Sequence, residues 1–323
     1  MNRHGPAVEV EGLTKSFGDF TALRGVDFQI APGEILGLLG PNGAGKTTTV
    51  DILATLSKPT SGRAVVAGHD VATASAAVRR EIMLTGQHAS LDDMLTGREN
   101  LVLFGRLQGL RKPDARTRAD ELLARFDLEY AADRRVGTYS GGMRRRIDIA
   151  CGLVVRPSVV FLDEPTTGLD PRSRQGVWDL VARLRDEGIA TLLTTQYLEE
   201  ADELSDRIVV IDHGTVIAEG TADELKERTG ATYCEVVPRR RADLPLLVDA
   251  LGSLLPPHLR TLEPAADRLS MPAPDGPRTL VEAVSRIDAA GVEVHDVALR
   301  RPSLDEVFFA LTGDAPGPVE VGA

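Results

Sequence analysis

Three short stretches of the chain carry residue types that handle phosphate and water. The first is GPNGAGKTTT, which meets the spacing G-x-x-x-x-G-K-[ST] with Gly40, Gly45, Lys46 and Thr47. Glycines let such a loop curl until successive N–H groups point inward at phosphate oxygens. Pro41, Asn42, Gly43, Ala44 and Thr48 complete that loop. Lys46 is placed to neutralise β/γ-phosphate charge, and the Thr47 hydroxyl to ligand Mg²⁺. The second stretch, VVFLDEP, ends an apolar run with Asp163 and Glu164. An aspartate there can hold Mg²⁺ through water, and a glutamate one residue on can polarise an attacking water as a base. The third, TYSGGMRRR, leads Ser140, Gly141 and Gly142 into a helical pattern. A hydroxyl and bare backbone N–H groups at a helix start make a second anion site.

These stretches need elements to position them. AVEVEGL alternates like a strand, and FQIAPGEILGLLG places an apolar run just before the glycines. TTTVDILATLS has helical spacing, with Val50, Leu53, Ala54 and Leu56 expected on one buried face. SVVFLDEP and IATLLTTQ read as strands buried on both faces. Residues 92–155 are expected to be mainly helical. TADELKERTG reads as a closing helix with Gly230 as its stop. Beyond it, TYCEVVPRRR, DRLSMPAP and VEVHDVALR read as strands, and DLPLLVDALGSLL, TLVEAVSRIDAAG and SLDEVFFALTG as helices. The predicted organisation is an α/β phosphate-loop domain over residues 1–225, with a helical insert at about 90–155. A small α/β accessory domain over 231–312 and a flexible tail, 313–323, follow.

Composition narrows the function. The chain has 323 residues, 42% of them hydrophobic, and a formal net charge of −11. That is ample for a core and opposes nucleic acid as a partner, because tracking phosphates needs a basic face. No stretch approaches the roughly 18 uncharged apolar residues of a spanning helix. MNRHGPAVEVEG lacks the apolar core of a signal peptide. The two cysteines, Cys151 and Cys234, form no metal or disulfide pattern. A soluble cytoplasmic chain is the expectation. A phosphate loop alone leaves kinase, GTPase and ATPase open; the absence of an N-K-x-D guanine-reading motif disfavours the GTPase.

With the S-G-G stretch lying between the phosphate loop and the D-E pair, the sequence resembles the nucleotide-binding subunits of ABC transporters over about residues 7–225. The family's signature is L-S-G-G-Q; here it reads Tyr139-Ser140-Gly141-Gly142-Met143. The resemblance implies ATP and Mg²⁺ as cofactors, with Thr47, Asp163 and Gln87 around the metal. Phe17, in TKSFGDF, resembles the aromatic that stacks on adenine; a core phenylalanine is the other reading. Gln87 resembles the glutamine that senses Mg²⁺ and the nucleophilic water. Gly168, Leu169 and Asp170 resemble the loop that crosses to the opposite subunit. Gln196, in LLTTQYLEEAD, stands where the family usually has a histidine that contacts the γ-phosphate and attacking water. The run Arg144–Arg146 reads as a solvated helix face, with contact to phosphate or to a partner as the other reading.

The resemblance further implies that each ATP is sandwiched between the phosphate loop of one subunit and the signature of another. A second ATP-binding subunit, expected to be an identical copy, would supply the second half of each site. An integral membrane permease from a separate chain would supply the pathway. SGGMRRRIDIACGLVVRPSVVFLDEPTTGLDPRSRQ and LRRPSLDEVFFALTG look like daunorubicin-resistance-type subunits of type-2 ABC exporters. That subfamily implies an ATPase on the cytoplasmic face of the membrane, driving efflux of a hydrophobic drug, antibiotic or lipid bound by the permease. The rival class is a soluble ABC ATPase acting on nucleic acid or ribosomes, which usually brings two cassettes, a coiled-coil insert or basic arms. A nucleotide-gated switch with little turnover is a third reading, which Glu164 opposes because a switch needs no base.

Overall fold

The computed structural model describes residues 5–86, 91–229, 232–256, 267–301 and 303–312. Contacts divide the chain into two compact units after Ala222, where the sequence placed the boundary at 225. The first unit runs β1 (Val8–Phe17), β2 (Phe20–Ile30), β3 (Ile35–Leu39), α1 (Lys46–Leu53), β4 (Ser61–Val66), β5 (His69–Asp70), α2 (Ser75–Glu81), β6 (Ile82–Thr85), α3 (Gly97–Leu107), α4 (Lys112–Arg125), α5 (Gly141–Gly152), β7 (Val159–Asp163), α6 (Pro171–Asp186), β8 (Ala190–Thr195), α7 (Leu198–Leu204), β9 (Arg207–Asp212) and β10 (Thr215–Gly220).

Its main sheet has the order β10-β9-β3-β8-β7-β6. β9, β3, β8, β7 and β6 run parallel, and β10 is antiparallel at the edge. Every residue of β3, β7 and β8 is buried. This follows from their continuous apolar runs, since a parallel sheet is covered on both faces. Alternation then splits each strand between two cores. Val159 and Phe161 of β7 join Leu36, Leu38 and Leu192 on one side. Val160 and Leu162 join Ile35, Ile147 and Leu193 on the other. The first core is closed by an antiparallel sheet of order β2-β1-β4-β5, which contributes Val8, Val10, Phe28 and Ile30. The second is closed by helices α3 to α6, among them the expected helical insert.

This topology decides where chemistry can happen. In a parallel sheet, loops leaving the carboxyl ends of neighbouring strands share one edge. Leu39 pairs with Thr195, and Asp163 with Thr194. The phosphate loop, the D-E pair and Gln196 therefore all emerge together. Leu56 departs from the expectation: it is 66% exposed. Helix α1 ends at Leu53, and Thr55 turns the chain with a φ of 64°, so the helical face stops one turn early.

The second unit comprises α8 (Ala222–Thr229), β11 (Tyr233–Pro238), α9 (Leu244–Leu251), β12 (Leu269–Pro272), α10 (Pro277–Ala289), β13 (Val294–Arg300) and α11 (Leu304–Thr312). Its strands pair antiparallel in the order β12-β11-β13. Cys234, Val236 and Met271 from the sheet bury against Leu247, Leu251, Ala283 and Ile287 from α9 and α10. The expected stop at Gly230 and the expected tail at 313–323 lie outside the described residues.

Candidate active site

The phosphate loop occupies the turn between β3 and α1. Its glycines are there for two separate reasons. Gly43 has a φ of 83° and Gly45 one of 109°, a left-handed region that other residues enter at a cost. A Cβ on Gly40 would stand 2.2 Å from the carbonyl oxygen of Ile211, and one on Gly45 2.9 Å from that of Ala22. Gly40, Ala44 and Gly45 are buried, Pro41 and Thr48 half-buried, and Asn42 and Gly43 exposed. Helix α1 then starts at Lys46, so its unpaired N–H groups and positive dipole end face the loop.

Lys46 is buried, and its ammonium donates to the carbonyls of Gly40 at 2.6 Å and Pro41 at 3.1 Å. It also lies 3.8 Å from Glu164 Oε1. Burial pulls its pKa down, opposed by the carboxylates of Glu164 and Asp163. Thr47, at the exposed head of the helix, donates its hydroxyl to Asp163 Oδ2 at 3.1 Å. Asp163 is only 3% exposed, and Thr194 Oγ1 donates to its other oxygen. A hydroxyl and a carboxylate meeting this way are hard oxygen donors of the kind Mg²⁺ takes, so the pair fits that ion. Asp51, one turn further along α1, has its pKa raised by burial and then by the charge of Asp163.

Glu164 is held in an unusual backbone state, with φ 46°. For a non-glycine residue this costs on the order of 1 kcal/mol. The state is pinned from β8: the Glu164 N–H donates to the carbonyl of Thr194 and to its hydroxyl, both at 3.1 Å. Thr167 Oγ1 donates to Glu164 Oε2 at 3.3 Å. The carboxylate is thus aimed back over the phosphate loop instead of continuing the strand.

Ser140 caps α5, accepting from the Met143 N–H at 3.3 Å. Gly141 is exposed and Gly142 buried. No hydrogen bond among the described residues joins these three to the loop 40–48. Gly142 instead packs on the first turn of α6: a Cβ there would be 2.3 Å from Ser173 Oγ. Asp170 caps α6, accepting from the Ser173 N–H at 2.9 Å and its hydroxyl at 2.6 Å, and these bonds hold its pKa down. Gln196 is half-buried directly after β8. The Arg174 guanidinium lies 5.1 Å from the ring centre of the adjacent Tyr197. Phe17 is 53% exposed at the end of β1, with Lys15 Nζ 4.7 Å from its ring centre; it is not a core residue. Gln87 lies outside the described residues.

The arginine run is not a solvated face. Arg144 pairs with Asp93 at 2.6 Å, and Arg146 donates to the Phe126 carbonyl at 3.0 Å. Arg145 is buried, donating to the Pro165 carbonyl at 2.8 Å and the Gly86 carbonyl at 2.9 Å. Sequence reasoning also missed Thr194, Thr166 and Glu200. Thr194 could have been suspected, since it is one of three threonines in a strand buried throughout, and buried hydroxyls need polar partners.

The comparisons with known proteins fit this geometry. A family model described as ABC transporter matches residues 23–167. The chain is 64% identical over 317 residues to the doxorubicin resistance ATP-binding protein DrrA of Mycobacterium tuberculosis, covering 97% of this chain and 96% of that protein. The chain belongs to the ABC transporter ATP-binding family. It is 54% identical over 308 residues to a daunorubicin resistance ATP-binding protein of Streptomyces coeruleorubidus, covering 95% of this chain and 96% of the relative. Among solved structures, a post-hydrolysis ATP-binding cassette dimer bound to ADP and Pi superposes with a TM-score of 0.60. It shares 28% identity and covers 66% of this chain and 98% of its own. The chain is an ABC ATPase, and ATP is its nucleotide.

Proposed function

We propose that this ATPase powers export of a hydrophobic drug, antibiotic or lipid through a separate membrane permease, from the cytoplasmic face of the membrane. The observation that carries the catalytic part is the meeting of Lys46, Thr47, Asp163 and Glu164 at one sheet edge. Lys46 would hold the β/γ-phosphates, Thr47 and Asp163 would hold Mg²⁺, Gln87 (outside the described residues) is assigned to the same ion by the family resemblance alone, and Phe17 would stack on adenine. The bound Mg²⁺ supplies charge neutralisation at the phosphates. Glu164 takes the proton of the attacking water, and Gln196 positions that water against the γ-phosphate. Ser140, Gly141 and Gly142 serve the site of a second copy, with Asp170 at the subunit crossing. Their lack of hydrogen bonds to this chain's own phosphate loop supports that division.

The permease reading draws on the resistance functions of the relatives and on the surface of the helical insert. No helix among the described residues is long and apolar enough to cross a membrane. Met94, Leu107 and Tyr130 of the insert region are exposed large side chains, the residues we assign to contact with the permease. Copurification of the tagged chain from membranes tests the reading. A polytopic membrane protein should come with it, and the pair should lower accumulation of an anthracycline in cells only with Glu164 intact. Recovery with ribosomes or nucleic acid, and no membrane partner, would instead favour the soluble class.

A further inference from the structure

Arg145 and Glu200 are both charged, both buried, and part of no phosphate-binding motif. Glu200 is 0% exposed and Arg145 9%. Burying a charge is expensive unless it is paired and hydrogen-bonded, so their retention calls for a use. Their partners show one. From α5, Arg145 donates through Nε to the Pro165 carbonyl at 2.8 Å. Pro165 directly follows Glu164. Nη1 of the same guanidinium donates to the Gly86 carbonyl at 2.9 Å, beyond β6, and lies 3.4 Å from Asp148 Oδ2. From α7, Glu200 Oε1 accepts from Thr166 Oγ1 at 2.8 Å and from Trp178 Nε1 at 3.0 Å. Thr166 is the residue after Pro165, and Trp178 belongs to α6, the helix capped by Asp170. Arg145 Nη2 and Glu200 Oε2 are buried with no hydrogen-bond partner among the described residues. The two charges attract across the loop, alongside those of Asp148 and Asp163.

We propose that Arg145 and Glu200 are paired positioning residues that grip the loop 164–166 from two sides, Arg145 from the signature helix and Glu200 from the helix that follows Gln196. The grip matters because Glu164 sits in a left-handed backbone state that its own sequence disfavours. β8 pins its N–H from one side; Arg145 holds the carbonyl of the following residue, Pro165, from the other. Through Glu200, any movement of α7 or of α6 is felt at Thr166, two residues from the base. Charge is the binding element: a guanidinium reaches two carbonyls in a fixed fork that an ammonium cannot reproduce.

The inference rests on Glu164 being the base, so Glu164→Gln is assayed in parallel; wild-type turnover there sinks that reading before this one. The test uses the purified full-length chain, with kcat, KM for MgATP, thermal midpoint and the emission of Trp178, the one tryptophan of the chain. Arg145→Lys and Glu200→Gln should each lower kcat about 10- to 100-fold, as a small misplacement of a catalytic group does. KM should stay within about threefold, because the phosphate loop is untouched. MgATP should shift Trp178 emission in the wild type and less in both variants. Arg145→Gln, made alone and combined with Glu200→Gln, should show a double loss smaller than the product of the two single losses, since both side chains hold the same loop. Wild-type kcat in folded Arg145→Lys would overturn the proposal. So would a fall in kcat and thermal midpoint accompanied by a large rise in KM, or failure of both single variants to fold, each of which marks a merely structural pair.

Discussion

Lys46 Nζ lies 3.8 Å from Glu164 Oε1, so the phosphate-binding cation and the proposed base face each other directly across the site. A γ-phosphate entering between them would take the cation from the carboxylate and leave Glu164 to a water. Glu164→Gln should therefore keep ATP binding and lower turnover by about 10²- to 10⁴-fold, the usual worth of a general base. The amide keeps the shape and loses the basicity. ATP-dependent dimerisation followed by size-exclusion should rise in the variant, because a bound but unhydrolysed nucleotide holds the halves closed. Turnover at the wild-type rate would remove Glu164 from the mechanism.

The proposal that Ser140 serves the phosphate loop of a second copy makes a complementation test possible. Lys46→Ala and Ser140→Arg should each abolish turnover alone. Mixed in one dimer, both lesions fall in one sandwich, and the other sandwich is intact. The mixture should regain measurable hydrolysis that neither parent has. No recovery in verified mixed dimers would count against composite sites.

The phosphate loop and the D-E pair were legible because their spacing has meaning only between a strand and a helix, and the strands announced themselves as continuous apolar runs. Arg145 was not legible. Three consecutive arginines on a helix start read as solvent-facing charge, and only packing shows that the middle one points at the carbonyls of Gly86 and Pro165. The same holds for Glu199 and Glu200, adjacent acids of which one is exposed and the other fully buried. Helical phase is the hint, since Glu200 shares its face with buried Leu204 one turn on. Leu56 failed in the opposite sense, because periodicity says nothing of where a helix stops.

Both cysteines are buried, and burial pushes each thiol's pKa up, for Cys151 with help from the nearby Asp148 carboxylate. The thiolate, which is the reactive form, is thus suppressed in the folded chain. At pH 8 a thiol reagent should label neither cysteine in the native protein and both in denaturant. The sign for stability follows. Folded pKa values above the unfolded ones mean the folded chain keeps protons that the unfolded chain gives up. The contribution is whole below the unfolded thiol's range and falls as pH rises through it. Denaturant midpoints should decline above about pH 8.5, and less steeply in Cys151→Ser. Rapid native labelling would contradict the burial.

Gln196 leaves the sheet beside Asp163 and Glu164, one residue beyond Thr195 of β8, where the family usually places a histidine. An amide can donate to the γ-phosphate through its NH₂ and accept from water through its carbonyl. It does so without a charge that varies near neutrality. The loop holding it is built with care: the Tyr197 N–H donates to Thr195 Oγ1 at 2.9 Å, and Arg174 stacks on Tyr197. A bystander would need no such support. Gln196→Ala should cut kcat by about 10²-fold while ATP affinity falls little, because the group acts on water and not on the bulk of the nucleotide. Gln196→His should retain much of the activity and add a titration at about pH 6.5, the ordinary range of an imidazole. Rate-against-pH profiles of the three forms separate the possibilities. Full activity of Gln196→Ala would make the position dispensable, whereas a flat profile in an active Gln196→His would show that a side chain there need not titrate to position the water.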